Sequence, residues 1–454
     1  MTTLWAAQAL TQDGWQRGVR IDIGADGCIE AIAADTSPQG MRVGCLLPAP
    51  VNLHSHAFQR AMAGLTERRG PDPRDTFWTW RQLMFRFLDQ LTPDDIEAIA
   101  ALVQMEMLEA GYAAIAEFHY LHHQPGGSEY DNIAELAART AAAAQKTGIG
   151  LTLLPVLYRY GGCDRRELKP GQVRFGNTQE RFVRLVEGAQ DALRMLPPDT
   201  RMGIAPHSLR AVQPDDLDFC RELAAGRPIH MHLAEQVEEV REVESMLGAR
   251  PVTWLLDNAN VDEKWCLIHC TQMLPEETER LARTGAVAGL CPITEASLGD
   301  GTFDGVRYLE AGGRFGVGSD SNIRIALAEE LRSLDYSQRL RDLSRAALAR
   351  PARSTGRVLW EEAARGGAQA AARPAGAIAV GLLADLVAVD TDSVDVAGLD
   401  GDVLIDSLIF AGAGNPIADV WSAGRHVVHD GRHVARDEIL RNYQRSVARL
   451  RALL

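Results

Sequence analysis

The chain has 454 residues, of which 46% are hydrophobic and 24% charged, a composition typical of a globular enzyme with one large domain or two. Its net charge of −14, with no basic stripe to offset it, argues against a nucleic-acid partner. No apolar stretch approaches the length of a membrane span, and the first ten residues lack the pattern of a signal peptide. Seven cysteines without a Cys-x-x-Cys pair are typical of reduced thiols. We therefore expect a cytoplasmic protein without a nucleic-acid or membrane partner.

Short strands separated by turn signals are predicted at both ends of the chain. They are Trp15–Ile23, Cys28–Ala33, Leu386–Val389 and a hairpin at Val420–Val428. Because isolated hairpins are marginally stable, we expect residues 1–47 and 376–433 to form one small composite domain, a β-sandwich. Residues 434–454 are predicted to form a C-terminal helix, since their apolar side chains recur on one helical face.

Strand and helix patterns alternate between these segments, over residues 48–375. The predicted strands are Leu46–Leu53, Ala113–Phe118, Gly150–Leu157, Met202–Pro206, Pro228–His232, Trp265–His269, Ala286–Cys291 and Arg314–Gly318. The predicted helices are Pro93–Ala110, Asn132–Thr147, Thr178–Leu196, Pro214–Ala225 and Glu276–Thr284. Such α/β units favour a closed parallel (β/α)8 barrel over an open doubly wound sheet, which would carry a glycine-rich fingerprint after its first strand. Long loops at 68–80 and 159–177 are expected to cover the site of such a barrel.

Histidines and acidic side chains recur where the predicted strands end. They are His54, His56, His230, His232, Glu235, His269 and Asp320. The carboxyl ends of barrel strands share one face, where such folds keep their chemistry. Imidazoles with one carboxylate are a ligand set for a catalytic divalent metal with an open position. A lone His-x-His pair is weak evidence, because two hydrogen-bonded histidines would give it too, but nine of the 12 histidines converge on these ends.

The order His-x-His, His-x-x-Glu, His and Asp on this frame resembles the amidohydrolase superfamily. No lysine occurs near the end of the third or fourth strand, which favours the mononuclear, deaminase-type branch. Four longer segments are similar to the formiminoglutamate deiminase family of that superfamily: Pro50–Gly64, Glu117–His123, His230–Gln236 and Gly316–Asn322. The resemblance covers essentially the whole chain. It implies a homodimeric hydrolase that converts N-formimino-L-glutamate to N-formyl-L-glutamate and ammonia in histidine degradation.

The resemblance also implies roles for individual residues. The metal ligands would be His54, His56, His232 and Asp320, which hold one Zn²⁺ per chain, with Fe²⁺ as the alternative. Glu235 would carry a proton from the attacking water to the departing nitrogen, and Asp320 would also accept a proton from that water. His269 would orient the attacking oxygen and stabilise the tetrahedral centre. We interpret His230 as a packing residue rather than a ligand.

The same resemblance assigns the two carboxylates of this anionic substrate to cationic side chains. The substrate-binding residues would be Arg81, His207 and Arg210, with Gln59 and Tyr120 as hydrogen-bonding neighbours. His207 and Arg210 follow the fourth predicted strand and therefore share the face of the metal ligands. Arg81 lies in an aromatic stretch, where a solvated arginine is the usual interpretation. The histidines at 119, 122 and 123 stay unassigned, as cavity wall or as hydrogen-bonding groups.

Two other functions stay open at this point. One is an aminohydrolase that acts on a nucleobase or a related amidine, although a neutral heterocycle does not require two arginines. The other is a non-catalytic scaffold on the same fold. Such scaffolds lose metal ligands, whereas this chain has all four of them together with Glu235 and His269.

Overall fold

The computed structural model describes residues 2–67 and 77–453, with only the backbone described for residues 77–79 and 82. Its strands are β1 Thr2–Thr11, β2 Gly14–Ile23, β3 Ile29–Ala33, β4 Met41–Pro48, β5 Val51–Ser55, β6 Ala114–His119, β7 Gly150–Leu157, β8 Arg201–Met202, β9 Ala205–Pro206, β10 Ile229–Leu233, β11 Trp265–His269, β12 Val287–Leu290, β13 Arg314–Val317, β14 Leu386–Val389, β15 Ile417–Ser422, β16 Arg425–His429 and β17 Arg432–His433. Its α-helices are α1 Phe77–Leu88, α2 Pro93–Glu109, α3 Glu135–Thr147, α4 Gln179–Leu193, α5 Pro214–Ala224, α6 Val237–Leu247, α7 Pro251–Asn258, α8 Pro275–Ala282, α9 Pro292–Leu298, α10 Gly305–Glu310, α11 Leu327–Asp342, α12 Thr355–Ala370, α13 Gly401–Phe410 and α14 Arg436–Arg451. Of the two loops predicted to cover the site, residues 68–76 lie outside the described residues.

The strands from the two ends of the chain share one sheet. Its order is β17-β16-β15-β14-β4-β1-β2-β3, so the N- and C-terminal segments meet where β4 runs antiparallel to β14. Apolar side chains including Leu4, Ile21, Leu386 and Trp421 form a core of this sheet that is separate from the main one. The terminal segments are therefore held together by backbone pairing and by burial.

The strand predicted at Leu46–Leu53 is wrong, because the structure has two strands there. β4 ends at Pro48 and pairs in the terminal sheet, whereas β5 begins at Val51 and pairs with β6. Pro48 and Pro50 have no backbone N–H to donate, so one continuous ladder cannot run through them. The chain uses this interruption to pass from the terminal sheet into the central parallel strands, and β5 carries the His-x-His pair.

The central strands are parallel and form two sheets, β5-β6-β7-β8 with β9 beside β7, and β10-β11-β12-β13. Backbone hydrogen bonds join the sheets at both junctions. The His230 N–H donates to the Ile204 carbonyl over 3.1 Å, and the Asp320 N–H donates to the His54 carbonyl over 2.9 Å. The α/β class with parallel sheets is confirmed. The second junction brings the end of β13 next to the end of β5, which places Asp320 beside His54.

The helices cover the central strands, and two of them illustrate how local sequence sets their bounds. Thr92 caps α2 as predicted, because its side chain accepts the Asp95 N–H while the Asp95 side chain accepts the Thr92 N–H. Helix α12 packs against β13 and β5. A Cβ on Gly366 would lie 1.9 Å from the Phe315 carbonyl oxygen, so only glycine permits this approach. No helix among the described residues is long and apolar enough to cross a membrane.

Candidate metal centre and cavity

Four side chains meet where β5, β10 and β13 end. The Nε2 atoms of His54 and His56 lie 3.2 and 3.1 Å from Oδ1 of Asp320. The Nε2 atoms of His54 and His232 are 3.1 Å apart. One ligand atom from each of the four residues lies within 4.8 Å of all the others, and all four side chains are buried. The structure thus brings together the four residues proposed from the sequence as metal ligands, which we call the metal cluster.

The hydrogen bonds around the metal cluster fit a bound cation. Nδ1 of His56 donates to the Phe118 carbonyl over 3.0 Å, and Nδ1 of His232 donates to the His207 carbonyl over 3.2 Å. A neutral imidazole with its proton on Nδ1 has a lone pair on Nε2, so these Nε2 atoms are free to coordinate. Separations of 3.1–3.2 Å between ligand atoms are those expected of side chains that share one ion. The donor set therefore suits one divalent metal ion.

The charge states of these ligands support the same conclusion. Burial lowers the pKa of His54 to about 3, and the other histidines nearby add to this effect. Burial also holds the pKa of His232 well below its usual range. Burial alone would raise the pKa of Asp320, but the adjacent imidazoles of His54 and His56 hold it well below its usual range. Neutral imidazoles and an ionised carboxylate are the forms that bind metal.

Glu235 and His269 lie beside the metal cluster. Nε2 of His269 is 3.8 Å from Oε1 of Glu235, and its Nδ1 is 3.2 Å from Oε1 of Glu295. Burial opposes protonation of His269, but the carboxylates of Glu235, Glu295 and Asp320 outweigh it and raise its pKa to about 10. His269 and Asp320 both have positive φ, at 71° and 44°. Such strained backbone in non-glycine residues concentrates at functional sites.

A cavity opens next to the metal cluster. Its walls are His56, Gln59, Trp80, Arg81, Met84, Tyr120, Tyr158, Phe175, His207, His232, Glu235, His269, Leu298 and Asp320. Four of the five residues proposed from the sequence to bind substrate therefore line one cavity together with His56, His232 and Asp320 of the metal cluster. Gln59 donates to the Tyr120 hydroxyl over 2.8 Å, so these two side chains orient each other.

Arg210, the fifth of these residues, lies behind Glu235. Its Nη2 is 3.5 Å from Oε2 of Glu235, and its Nε is 3.9 Å from Oε2 of Glu239. Burial would lower the pKa of Arg210, but Glu239 and Glu235 raise it, so the guanidinium stays charged. Arg210 thus contacts Glu235, which lines the cavity and which we expect to transfer protons, but Arg210 is not itself among the lining residues.

Sequence reasoning missed several side chains of this site. Tyr158 follows β7, where its hydroxyl accepts hydrogen bonds from Arg81 Nη2 over 2.7 Å and from Gln172 Nε2 over 2.8 Å. Arg81 is therefore held by the cavity wall rather than solvated. Glu295 was also missed, because it lies in the first turn of α9, where an acidic residue is ordinarily explained by the helix dipole. A tyrosine directly after a predicted buried strand was the available signal for Tyr158.

The remaining strand-end histidines have other partners. His230 donates from Nε2 to the Ala370 carbonyl over 2.8 Å. His122 donates to the Val156 carbonyl over 3.0 Å, and Nε2 of His123 lies 2.9 Å from the Asn177 side-chain oxygen. None of them belongs to a group of possible metal ligands within the part of the chain that the structure describes. The packing role interpreted for His230 is consistent with this contact.

Parallel strands with three histidines and one aspartate at their carboxyl ends define a class of metal-dependent hydrolases. The model of the amidohydrolase family matches residues 45–427, and the model described as "Formimidoylglutamate deiminase HutF, N-terminal domain" matches residues 1–41. The chain belongs to the amidohydrolase family.

Individual relatives agree with the family. A formimidoylglutamate deiminase of Pseudomonas aeruginosa is 46% identical over 449 residues, which cover 98% of each chain. The crystal structure of an amidohydrolase from Brucella melitensis has a TM-score of 0.95 and 46% identity, and the match covers 99% of this chain and 100% of that one. An adenosine deaminase from Xanthomonas campestris with bound zinc has a TM-score of 0.83 over 99% and 98% of the two chains, but at 20% identity it shows the fold alone. The resemblance to amidohydrolases and to formiminoglutamate deiminases is confirmed.

Proposed function

We propose that the protein is a formimidoylglutamate deiminase, which hydrolyses N-formimino-L-glutamate to N-formyl-L-glutamate and ammonia. The observation that carries this proposal is one cavity whose walls combine His56, His232 and Asp320 of the metal cluster and the carboxylate of Glu235 with Arg81 and His207. The 46% identity with the Pseudomonas aeruginosa deiminase over 98% of the chain supports it. Family, cavity and full-length similarity thus agree on the reaction.

The charges of the substrate match the charged groups of the cavity. Amidines are strong bases, so the formimino group carries a proton and a positive charge at neutral pH, whereas the glutamate part carries two carboxylates. The carboxylates of Glu235 and Asp320 face the end where the formimino group must react. Arg81 and His207, with Arg210 behind Glu235, would hold the two carboxylates, since guanidinium groups bind them in bidentate fashion. Gln59 and Tyr120 would bind the glutamate part between the two ends.

One metal ion completes the site. His54, His56, His232 and Asp320 would hold it, with Zn²⁺ as the first choice for imidazole ligands and Fe²⁺ as the alternative. When bound, such an ion supplies Lewis acidity and lowers the pKa of a water molecule to about 7.

The protein's own side chains move the protons. Glu235 would take one proton from the attacking water and deliver it to the nitrogen that leaves as ammonia. Asp320 would take the second proton of that water as the carbon–oxygen double bond of the formyl group forms. His269, with Nε2 turned towards Glu235, would orient the attacking oxygen and stabilise the tetrahedral centre. Each of these groups lines the same cavity.

We infer a corresponding architecture. The two parallel sheets would close into a (β/α)8 barrel over residues 48–375, and residues 1–47 with 376–433 would form a β-sandwich, followed by the helix at 434–454. Both junctions between the parallel sheets carry backbone hydrogen bonds, which supports closure. A cytoplasmic homodimer that acts in histidine degradation fits the proposed reaction.

The test is steady-state release of ammonia from N-formimino-L-glutamate by protein loaded with Zn²⁺ or Fe²⁺. We expect turnover of this substrate and none of aminopurines or aminopyrimidines. Good turnover of a nucleobase with none of formiminoglutamate would overturn the proposal in favour of a nucleobase aminohydrolase. One metal equivalent per chain after reloading is also expected, whereas near-zero metal would favour a non-catalytic scaffold.

A further inference from the structure

We propose that Glu295 is a positioning residue, which holds the His269 imidazole with Nε2 turned towards the reacting centre. This inference rests on the proposed function, because it concerns the same site. Glu295 does not line the cavity and lies on a different element from every residue assigned above. It therefore acts through His269 or it does not act on the reaction.

The geometry around His269 leaves its ring one orientation. Oε1 of Glu295 lies 3.2 Å from Nδ1, and Oε1 of Glu235 lies 3.8 Å from Nε2. The ring stacks on that of His232 with an angle of 10° between the planes. Because a half-turn of the ring about its bond to Cβ would keep this stacking, the contact with Glu295 is what distinguishes the two orientations.

A carboxylate beside Nδ1 also fixes the role of that nitrogen. An ionised carboxylate only accepts, so Nδ1 must be the donor of this hydrogen bond. Nε2 then faces Glu235 and the cavity, where it can donate a hydrogen bond to the attacking oxygen. Metal-site histidines are oriented by carboxylates in the same manner, and loss of such a partner commonly costs about 10- to 100-fold.

Glu295 is itself held rigidly. Its Oε1 also accepts the N–H of Cys291, the residue before α9, over 2.8 Å, and its side chain is buried. The competing explanation is that Glu295 merely caps α9, which would affect stability and leave the reaction alone. Only an experiment that measures the coupling between Glu295 and His269 separates these two explanations.

The experiment is a double-mutant cycle that uses Glu295→Gln, His269→Ala and the double variant in metal-loaded protein. Glutamine keeps an oxygen that can cap Cys291 but lacks the negative charge, so we expect kcat to fall about 10- to 100-fold with KM within about threefold. In the His269→Ala background the same change should cost less than about threefold, because its partner is gone. Retained metal content and thermal midpoint would show that the folded site persists.

Glu277→Gln is the matched control. Glu277 is buried, lies in the first turn of α8 and accepts the N–H of Leu274, the residue before that helix, over 2.8 Å. We expect its kcat to stay within about twofold of the wild type, since surface and capping changes away from a site act on stability. An equal effect of the two Glu→Gln changes, or an undiminished cost in the His269→Ala background, overturns the role of Glu295. Failure of the proposed function is separate, because it appears as absence of formiminoglutamate turnover by the wild type, and the cycle can then be run on whichever substrate is hydrolysed.

Discussion

Two groups of histidines lie at the ends of the central strands, and they differ in what their ring nitrogens face. In the metal cluster, nitrogen atoms of His54, His56 and His232 face one another and Asp320 at 3.1–3.2 Å. The second group is His119, His122 and His123 at the end of β6. There Nε2 of His122 faces a backbone carbonyl, and the ring nitrogens of His123 face a side-chain amide and an arginine. We call this second group the β6-end histidines.

The difference shows that a position at a strand end does not by itself make a histidine a ligand. Burial lowers the pKa of His54 to about 3, and it lowers the pKa of His119 and of His123 to about 4. His54, His119 and His123 are therefore neutral at physiological pH, so protonation state does not distinguish the two groups. The two groups differ because the ring nitrogens of the metal cluster lie close to one another and to the ionised carboxylate of Asp320.

His232→Ala is expected to have the largest effect. It removes one of four ligands, so bound metal should be lost and kcat should fall by more than about 10⁴-fold, beyond the loss of acid–base catalysis alone. Metal analysis after reloading, with ammonia release, measures both effects. His230→Ala is the control two residues away, and we expect it to keep one metal equivalent. Metal loss in both variants would contradict the division between ligand and packing histidine.

Glu235→Gln should come next. It removes the proton carrier and keeps the size of the side chain, so kcat should fall about 10²- to 10⁴-fold with metal retained. KM should change little, because the interaction is made in the transition state. Single-turnover and steady-state rates, compared with those of the exposed-site control Glu238→Gln, measure this. A decrease below tenfold would show that Glu235 is not the proton carrier.

The sequence predicted the parts of the site that follow from strand ends. The bounds of β7 and β11 were predicted as the structure has them, and β11 carries His269 to the shared face. Side chains alternate along a strand, so residues two apart share one face. A His-x-His pair can therefore be recognised as a candidate ligand pair from the sequence alone. These signals are local in the sequence. The parallel strands then bring residues from different strand ends together at one site.

The parts that the sequence could not predict depend on packing between distant segments. Tyr158 holds Arg81 across 77 positions of the chain, and Glu295 reaches His269 across 26. Neither contact has a periodic signature, because each joins residues of separate strands, helices and loops. Helix α1, which carries Arg81, lies partly in a region predicted as loop. Within that region, Trp80 lines the cavity from the helix.

Arg81→Met tests the cationic side of the cavity and should have a smaller effect than the changes at the metal side. Loss of a buried hydrogen-bonded charge partner costs about 2–5 kcal/mol, so kcat/KM should fall at least about 30-fold, mainly through KM. Arg86→Met on the same helix is the control, because Arg86 is exposed. An unchanged KM for formiminoglutamate in Arg81→Met would mean that Arg81 does not bind the substrate carboxylate.

The β6-end histidines should affect stability and leave activity almost unchanged, which His123→Gln tests. Burial and the neighbouring Arg181 lower the pKa of His123 to about 4, whereas an unfolded histidine titrates near 6.5. Below pH 6.5 the unfolded chain therefore binds a proton that the folded protein does not, so the free energy of unfolding falls as the pH decreases towards 4 and levels off below it. Between pH 7 and pH 5 the free energy of unfolding of the wild type should fall by about 1–2 kcal/mol more than that of His123→Gln, because all other titrating groups are shared.

Urea unfolding of both proteins at the two pH values measures the difference, and ammonia release at pH 7 should stay within about twofold. An identical pH dependence of stability in the two proteins would contradict the lowered pKa of His123. Loss of activity in the variant would mean that the β6-end histidines belong with the chemistry rather than with the packing.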